Sequence, residues 1–127
     1  MSLEAEIKNV FPEVLSEPTI PNSFIEENES IMELEREVDY FKVVPAYMLW
    51  CLKYKDEKLV DMNTVSALAE YGRAKNKENS YLNFMHLCST EQKQVITKFL
   101  EWCAKEISTA DKTQIERAVK NWSKENS

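Results

Sequence analysis

The sequence predicts an all-α fold, an irregular bundle of about five to seven helices forming a single domain over residues 1–127. Three observations carry this. Apolar residues recur at spacings of three and four rather than two along almost every segment. The chain contains one glycine, Gly72, so the punctuation of a multi-stranded sheet is missing. Its 43% apolar residues, with three Trp, five Tyr and five Phe, suffice for one core.

Ser2 is placed to cap a short helix through about Val10, with Ile7, Val10 and Phe11 on one side. Pro12, Pro18 and Pro21 then forbid a continuous helix, making residues 12–22 a connector or a strap on the core. Ser23 with Glu26, and Ser30 with Glu33, match the Ser-x-x-Glu capping box. From Ile31 the stripe Ile31, Leu34, Val38, Phe41 predicts a helix with its glutamates outside. Pro45 interrupts that stripe. Because proline is best tolerated in a first turn, a new helix is expected to begin near Val44; being apolar nearly all round, it should be the central one and pack on the helix of residues 91–107.

Lys55–Lys58 reads as a polar turn, Asn63 as the cap of a helix over residues 64–71, and Gly72 as a left-handed carboxyl-terminal cap. Residues 73–80 are expected to be an exposed polar loop. Tyr81, Phe84, Leu87 and Cys88 share a face of a short helix, and Ser89 with Gln92 boxes the start of the strongest helix, whose face is Val95, Ile96, Phe99, Leu100, Cys103 and Ile107. After Asp111 a last helix carries Ile115, Ala118, Val119 and Trp122. The longest apolar run, Val43–Leu52, falls well short of a membrane span.

The composition narrows the chemistry. With one glycine, neither a phosphate-cradling loop nor a dinucleotide fingerprint can be assembled. His86 is the single histidine; Leu82 and Thr90 stand four residues either side of it, so it has no second ligand at helical spacing and is read as a partly buried structural residue. Cys51, Cys88 and Cys103 are odd in number and form no Cys-x-x-Cys pair, which suits reduced thiols packed as small hydrophobes. Glu101 and Glu106 should face solvent, and no acid is placed inside an apolar segment. Trp50, Trp102 and Trp122 fall on separate helices at apolar spacing and read as core and rim packing, with the surface near Trp102 and Trp122 as a fallback interface. No catalytic residue, metal ligand or cofactor is indicated, and the chain is read as a non-enzyme.

Charge is segregated. The net charge is −6, and residues 1–63 hold 14 acids against 6 bases while residues 64–127 hold 8 against 10. That balance argues against nucleic acid as a partner. The opening residues Met1–Glu6 carry acids where a secretory signal would carry bases, which predicts a cytoplasmic protein. The acidic run Glu26–Asp39 holds seven acids and one base. On a helix Glu29, Glu33 and Glu37 would align, at a cost of roughly 0.2–0.5 kcal/mol per like-charged neighbour. A solvated face tolerates that; the functional alternative is a docking ridge of Glu26, Glu29, Glu33, Glu37 and Asp39 for a basic partner.

The segments Tyr40-Phe41-Lys42-Val43-Val44-Pro45-Ala46-Tyr47-Met48 and Leu87-Cys88-Ser89-Thr90-Glu91-Gln92, the latter running on to Phe99-Leu100, resemble a bacterial family known only as a domain of unknown function. Its members pair a Pro-Ala-aromatic helix with a Leu-(Ser/Thr)-x-x-Gln helix ending in Phe-Leu. The resemblance covers residues 38–102; a Gly-Lys-x-Trp-like element ahead of the proline is missing here. It implies a small, mostly helical bacterial protein and supplies no catalytic residues. The function expected is therefore stoichiometric protein binding, most concretely by an immunity- or antitoxin-like protein whose acidic half covers a basic toxin, by analogy of type. The alternatives are a structural or adaptor subunit acting as a homodimer or larger homo-oligomer, and an enzyme with an unrecognised carboxylate site.

Overall fold

In the computed structural model, residues 2–34, 38–55, 59–73 and 84–124 are described. Among them are seven α-helices, two 3₁₀ turns and no strand: α1 (Leu3–Val10), α2 (Asn22–Glu27), α3 (Tyr40–Tyr54), α4 (Val60–Tyr71), α5 (Phe84–Leu87), α6 (Thr90–Glu106) and α7 (Lys112–Trp122). No helix among these residues is long and apolar enough to cross a membrane.

Helices with local signals start where expected. Ser2 Oγ accepts from Ala5 N at 3.1 Å. Ser89 and Gln92 form the reciprocal box, each side chain bonding the other's backbone N–H at 3.1 and 2.8 Å. Asp111 Oδ1 accepts from Thr113 N and Gln114 N. The face of α6 is buried from Val95 through Cys103, and Ile107 is buried beyond it. The 12–22 segment is a strap containing a 3₁₀ turn, Pro12–Leu15, with Val14 buried; it lies against α3.

Elsewhere tertiary ties override local pattern. The helix expected from Ile31 is only a 3₁₀ turn, Ile31–Glu33, and neither Ser-x-x-Glu pair caps a helix: α2 starts at Asn22, and Ser30 makes no side-chain capping bond. The segment is bound to α3 instead, through Tyr47 Oη donating to the Asn28 carbonyl and Trp50 Nε1 donating to Glu26 Oε2 at 3.2 Å. Ile31, fully buried, anchors it.

The central helix begins at Tyr40 rather than Val44, because Asp39 Oδ1 accepts from Phe41 N and sets the start one turn earlier. Pro45 therefore sits in the helix interior, where it forfeits the bond to the Phe41 carbonyl. Burial of Val43 through Met48, with Trp50 and Cys51, compensates and makes α3 the core helix. Its close neighbours include α1, α4 and the strap, whereas α6 packs most extensively on α1 and α7; α3 and α6 come within interaction range at Cys51 and Cys103.

α4 starts at Val60 and contains Asn63 rather than being capped by it. Gly72 has φ −79°, so it is no left-handed cap. A Cβ there would lie 2.8 Å from Trp122 Nε1, which explains the glycine by close approach. Leu87 is 62% exposed, contrary to the face assigned to it, while Phe84 and Cys88 are buried. Tyr81 and residues 74–80 of the expected loop lie outside the described residues; Arg73 pairs with Glu70 at 3.3 Å.

The core is centred on rings. Phe84 lies 5.1 Å from Phe41, 5.8 Å from Tyr71, 6.1 Å from Trp122 and 6.2 Å from Phe11, centroid to centroid. It thereby joins the end of α1 to α3, α4 and α7 from a described helical stretch of four residues.

Candidate functional site

Among the described residues Glu26, Glu29, Glu33 and Asp39 do not form a ridge. Glu26 is half-buried and accepts from Trp50. Glu29 is half-buried, its Oε2 accepting from Leu59 N at 3.1 Å and its carbonyl from Asn63 Nδ2 at 3.1 Å. Asp39 caps α3. Glu33 is exposed on the 3₁₀ turn, and Glu37 lies outside the described residues. The helical alignment of Glu29 with Glu33 is therefore replaced by a different grouping.

That grouping is an open depression of about 440 Å³ whose lining includes Glu27, Glu29, Ser30, Glu33, Leu59 and Asn63. The segment after α2 forms one wall and the start of α4 the other. Glu29 holds the walls together, its carboxylate serving as a remote cap for the first turn of α4. Glu27 and Glu33 are exposed and take no part in that clamp. Glu27 closes α2, where the helix dipole favours a cation over an acid, so its place has no folding rationale. Leu59 is 56% exposed, and Met32 and Met62 on the flanking elements are each 38% exposed. The depression thus sets acidic side chains beside exposed apolar ones.

Sequence reasoning missed Leu59, Met32, Met62 and Asn63. A lone leucine after the polar stretch Lys55–Lys58 was the available signal; residues 56–58, expected as a turn, lie outside the described residues. It also missed a buried acid: Asp61, in the first turn of α4, is 1% exposed. The helix dipole suits a carboxylate there, which makes the burial of a charge tolerable. Asp61 acts on its neighbours: the Cys51 thiol is raised well above its ordinary range, first by burial, then by the Asp61 and Cys103 charges. Burial followed by Asp61 also raises Cys103. Cys88 is pushed up to about 12 by burial, against a smaller downward pull from Lys93. All three cysteines are free and buried, so they are poor nucleophiles.

His86 is exposed rather than partly buried, and Glu101 and Glu106 face solvent as expected. Trp122 is 1% exposed and Trp50 2%, too little for Trp122 to anchor a protein interface; Trp102 remains half-buried, stacked on Phe99 at 6.0 Å. Among the described residues no group of three or more His, Cys, Asp or Glu side chains could hold a metal ion. Compared with protein families, curated proteins and solved structures, the chain matches none of them.

Proposed function

We propose that this protein works by stoichiometric binding rather than catalysis, presenting the depression of Glu27, Glu29 and Glu33 to a basic side chain of a protein partner. The exposed Leu59 edge would exclude water around that contact. The observation that carries the reading is the exposed pair Glu27 and Glu33, two acids beside solvent-facing Leu59 that contribute nothing to the clamp holding the walls. A cognate toxin neutralised in the cytoplasm is the most concrete version, supported by the acidic first half of the chain. Membership of residues 38–102 in the bacterial family they resemble is proposed on the same footing and adds no catalytic group.

Glu27→Lys with Glu33→Lys is the informative double variant, because Glu29→Lys would also break the cap on α4. The double change should alter stability by less than about 0.5 kcal/mol per site. With wild type and variant as baits in a lysate of the source cells, a basic protein should be retained by wild type alone. Its association rate at low salt should fall on the order of tenfold or more in the variant, and wild-type association should slow as salt is raised. A partner bound equally fast by both proteins overturns the reading; capture of the chain by itself alone replaces it with a homo-oligomer.

A further inference from the structure

A groove of about 560 Å³ runs along α6 to the end of α7, lined by residues that include Lys93, Gln94, Thr97, Lys98, Trp122 and Lys124. Its size is that of a small-molecule site. Lys93 is 5% exposed, and its Nζ is closed off from water without a hydrogen-bond partner among the described residues. Burying a charge with neither counter-charge nor hydrogen bond among the described residues is costly, so as far as these residues go the side chain is placed at the expense of the fold. Other groups on the groove are already committed: Thr97 Oγ1 donates to the Lys93 carbonyl at 2.9 Å, and Lys98 Nζ pairs with Glu6 at 2.7 Å. Thr90, Gln94 and Lys124 also line the groove and hold no hydrogen bond through their side chains among the described residues. One acid, Glu101, lines it against three lysines.

We propose that this groove binds the phosphate group of a small phosphate monoester, with the Lys93 ammonium turning outward from beneath the groove to meet it and Thr90, Gln94 and Lys124 as surrounding donors. A carboxylate presents two oxygens in one plane and is best met by the planar fork of arginine, whereas lysine binds phosphate as a point charge. No arginine lines the groove among the described residues. Separate donors approaching from different residues suit an anion with three outward oxygens. The proposal is independent of the acidic depression, which lies on other elements.

Thermal unfolding of the full chain tests it, in inorganic phosphate against chloride at matched ionic strength, with phenyl phosphate against phenol and with acetate as further arms. Ligand that binds only the folded state raises Tm in proportion to the logarithm of its concentration above Kd. Wild type should gain Tm in both phosphates and neither in phenol nor in acetate. Lys93→Met keeps the apolar stem and removes the charge; it should melt no lower than wild type in chloride and lose the phosphate-specific gain. Should it fail to fold, Gln94→Ala with Lys124→Ala takes its place and should weaken phosphate binding about tenfold, read by titration calorimetry. An equal gain in the variant and wild type, no gain in wild type, or acetate acting as strongly as phosphate each overturns the proposal.

Discussion

Gly72 and Trp122 show how much one missing methyl can decide. Gly72 N and Trp122 Nε1 both donate to the Leu68 carbonyl, at 3.0 and 2.8 Å. Two donors converging on one oxygen force the indole against the glycine, where no Cβ fits. Replacing glycine by alanine at a permissive φ ordinarily stabilises by about 0.4–1 kcal/mol. Here Gly72→Ala should instead destabilise by roughly 1–3 kcal/mol, as overpacking against a buried ring does. Trp122→Phe removes the donor and half the ring, and in that background Gly72→Ala should cost less than it does alone. Urea unfolding of the four proteins measures the coupling, and strictly additive costs would discard the contact.

At the scale of elements, α5 is the informative case. Its described residues, Phe84–Leu87, are too few to sustain a helix by themselves, and Phe84 and Met85 are buried in the core. Phe84→Ala should cost about 3–5 kcal/mol, whereas Leu87→Ala, in the same turn but exposed, should stay within about 0.5 kcal/mol. Similar costs in chemical unfolding would contradict the ring cluster. α1, α6 and α7 were legible because each carries a capping side chain two or three residues from the amide it serves; α3 carries one as well, Asp39, but Pro45 drew the expected start to the next turn. Residues 26–34 were misread because their ties span 19, 24 and 34 positions, to Tyr47, Trp50 and Asn63. Such partners leave no periodic trace. The acidic character of the site was legible for the same reason that its grouping was not: charge is read from residue type, and position from contacts.

Over the whole molecule, three thiols and one phenol resist ionisation because they are buried. Cys51, Cys88 and Cys103 all lie above the free-thiol value of 9.0, Cys88 at about 12, and Tyr47 rises from 10.0 to about 12. Each group thus holds its proton more tightly folded than unfolded. Its stabilising contribution is complete below the unfolded value and is lost as pH rises through the folded one. Unfolding free energy should therefore decline from about pH 9 upward, and a variant with all three cysteines changed to alanine should decline less steeply from that pH. At pH 8 a disulfide reagent such as Ellman's should label none of the thiols within minutes, and all three in denaturant. Rapid labelling of the native protein would place at least one thiol at the surface.

The pairing of Leu68 with Trp122 spans 54 positions of chain. On the ribosome, α4 emerges long before its partner, with the notch over Gly72 open and the backs of Leu68 and Tyr71 facing water. The order of synthesis thus leaves one side of the core unsealed until residue 122 has left the ribosome. A nascent chain stalled with residue 122 still inside the exit tunnel should be cut by protease within α4, and one stalled behind a carboxyl-terminal linker long enough to bring residue 122 out should not.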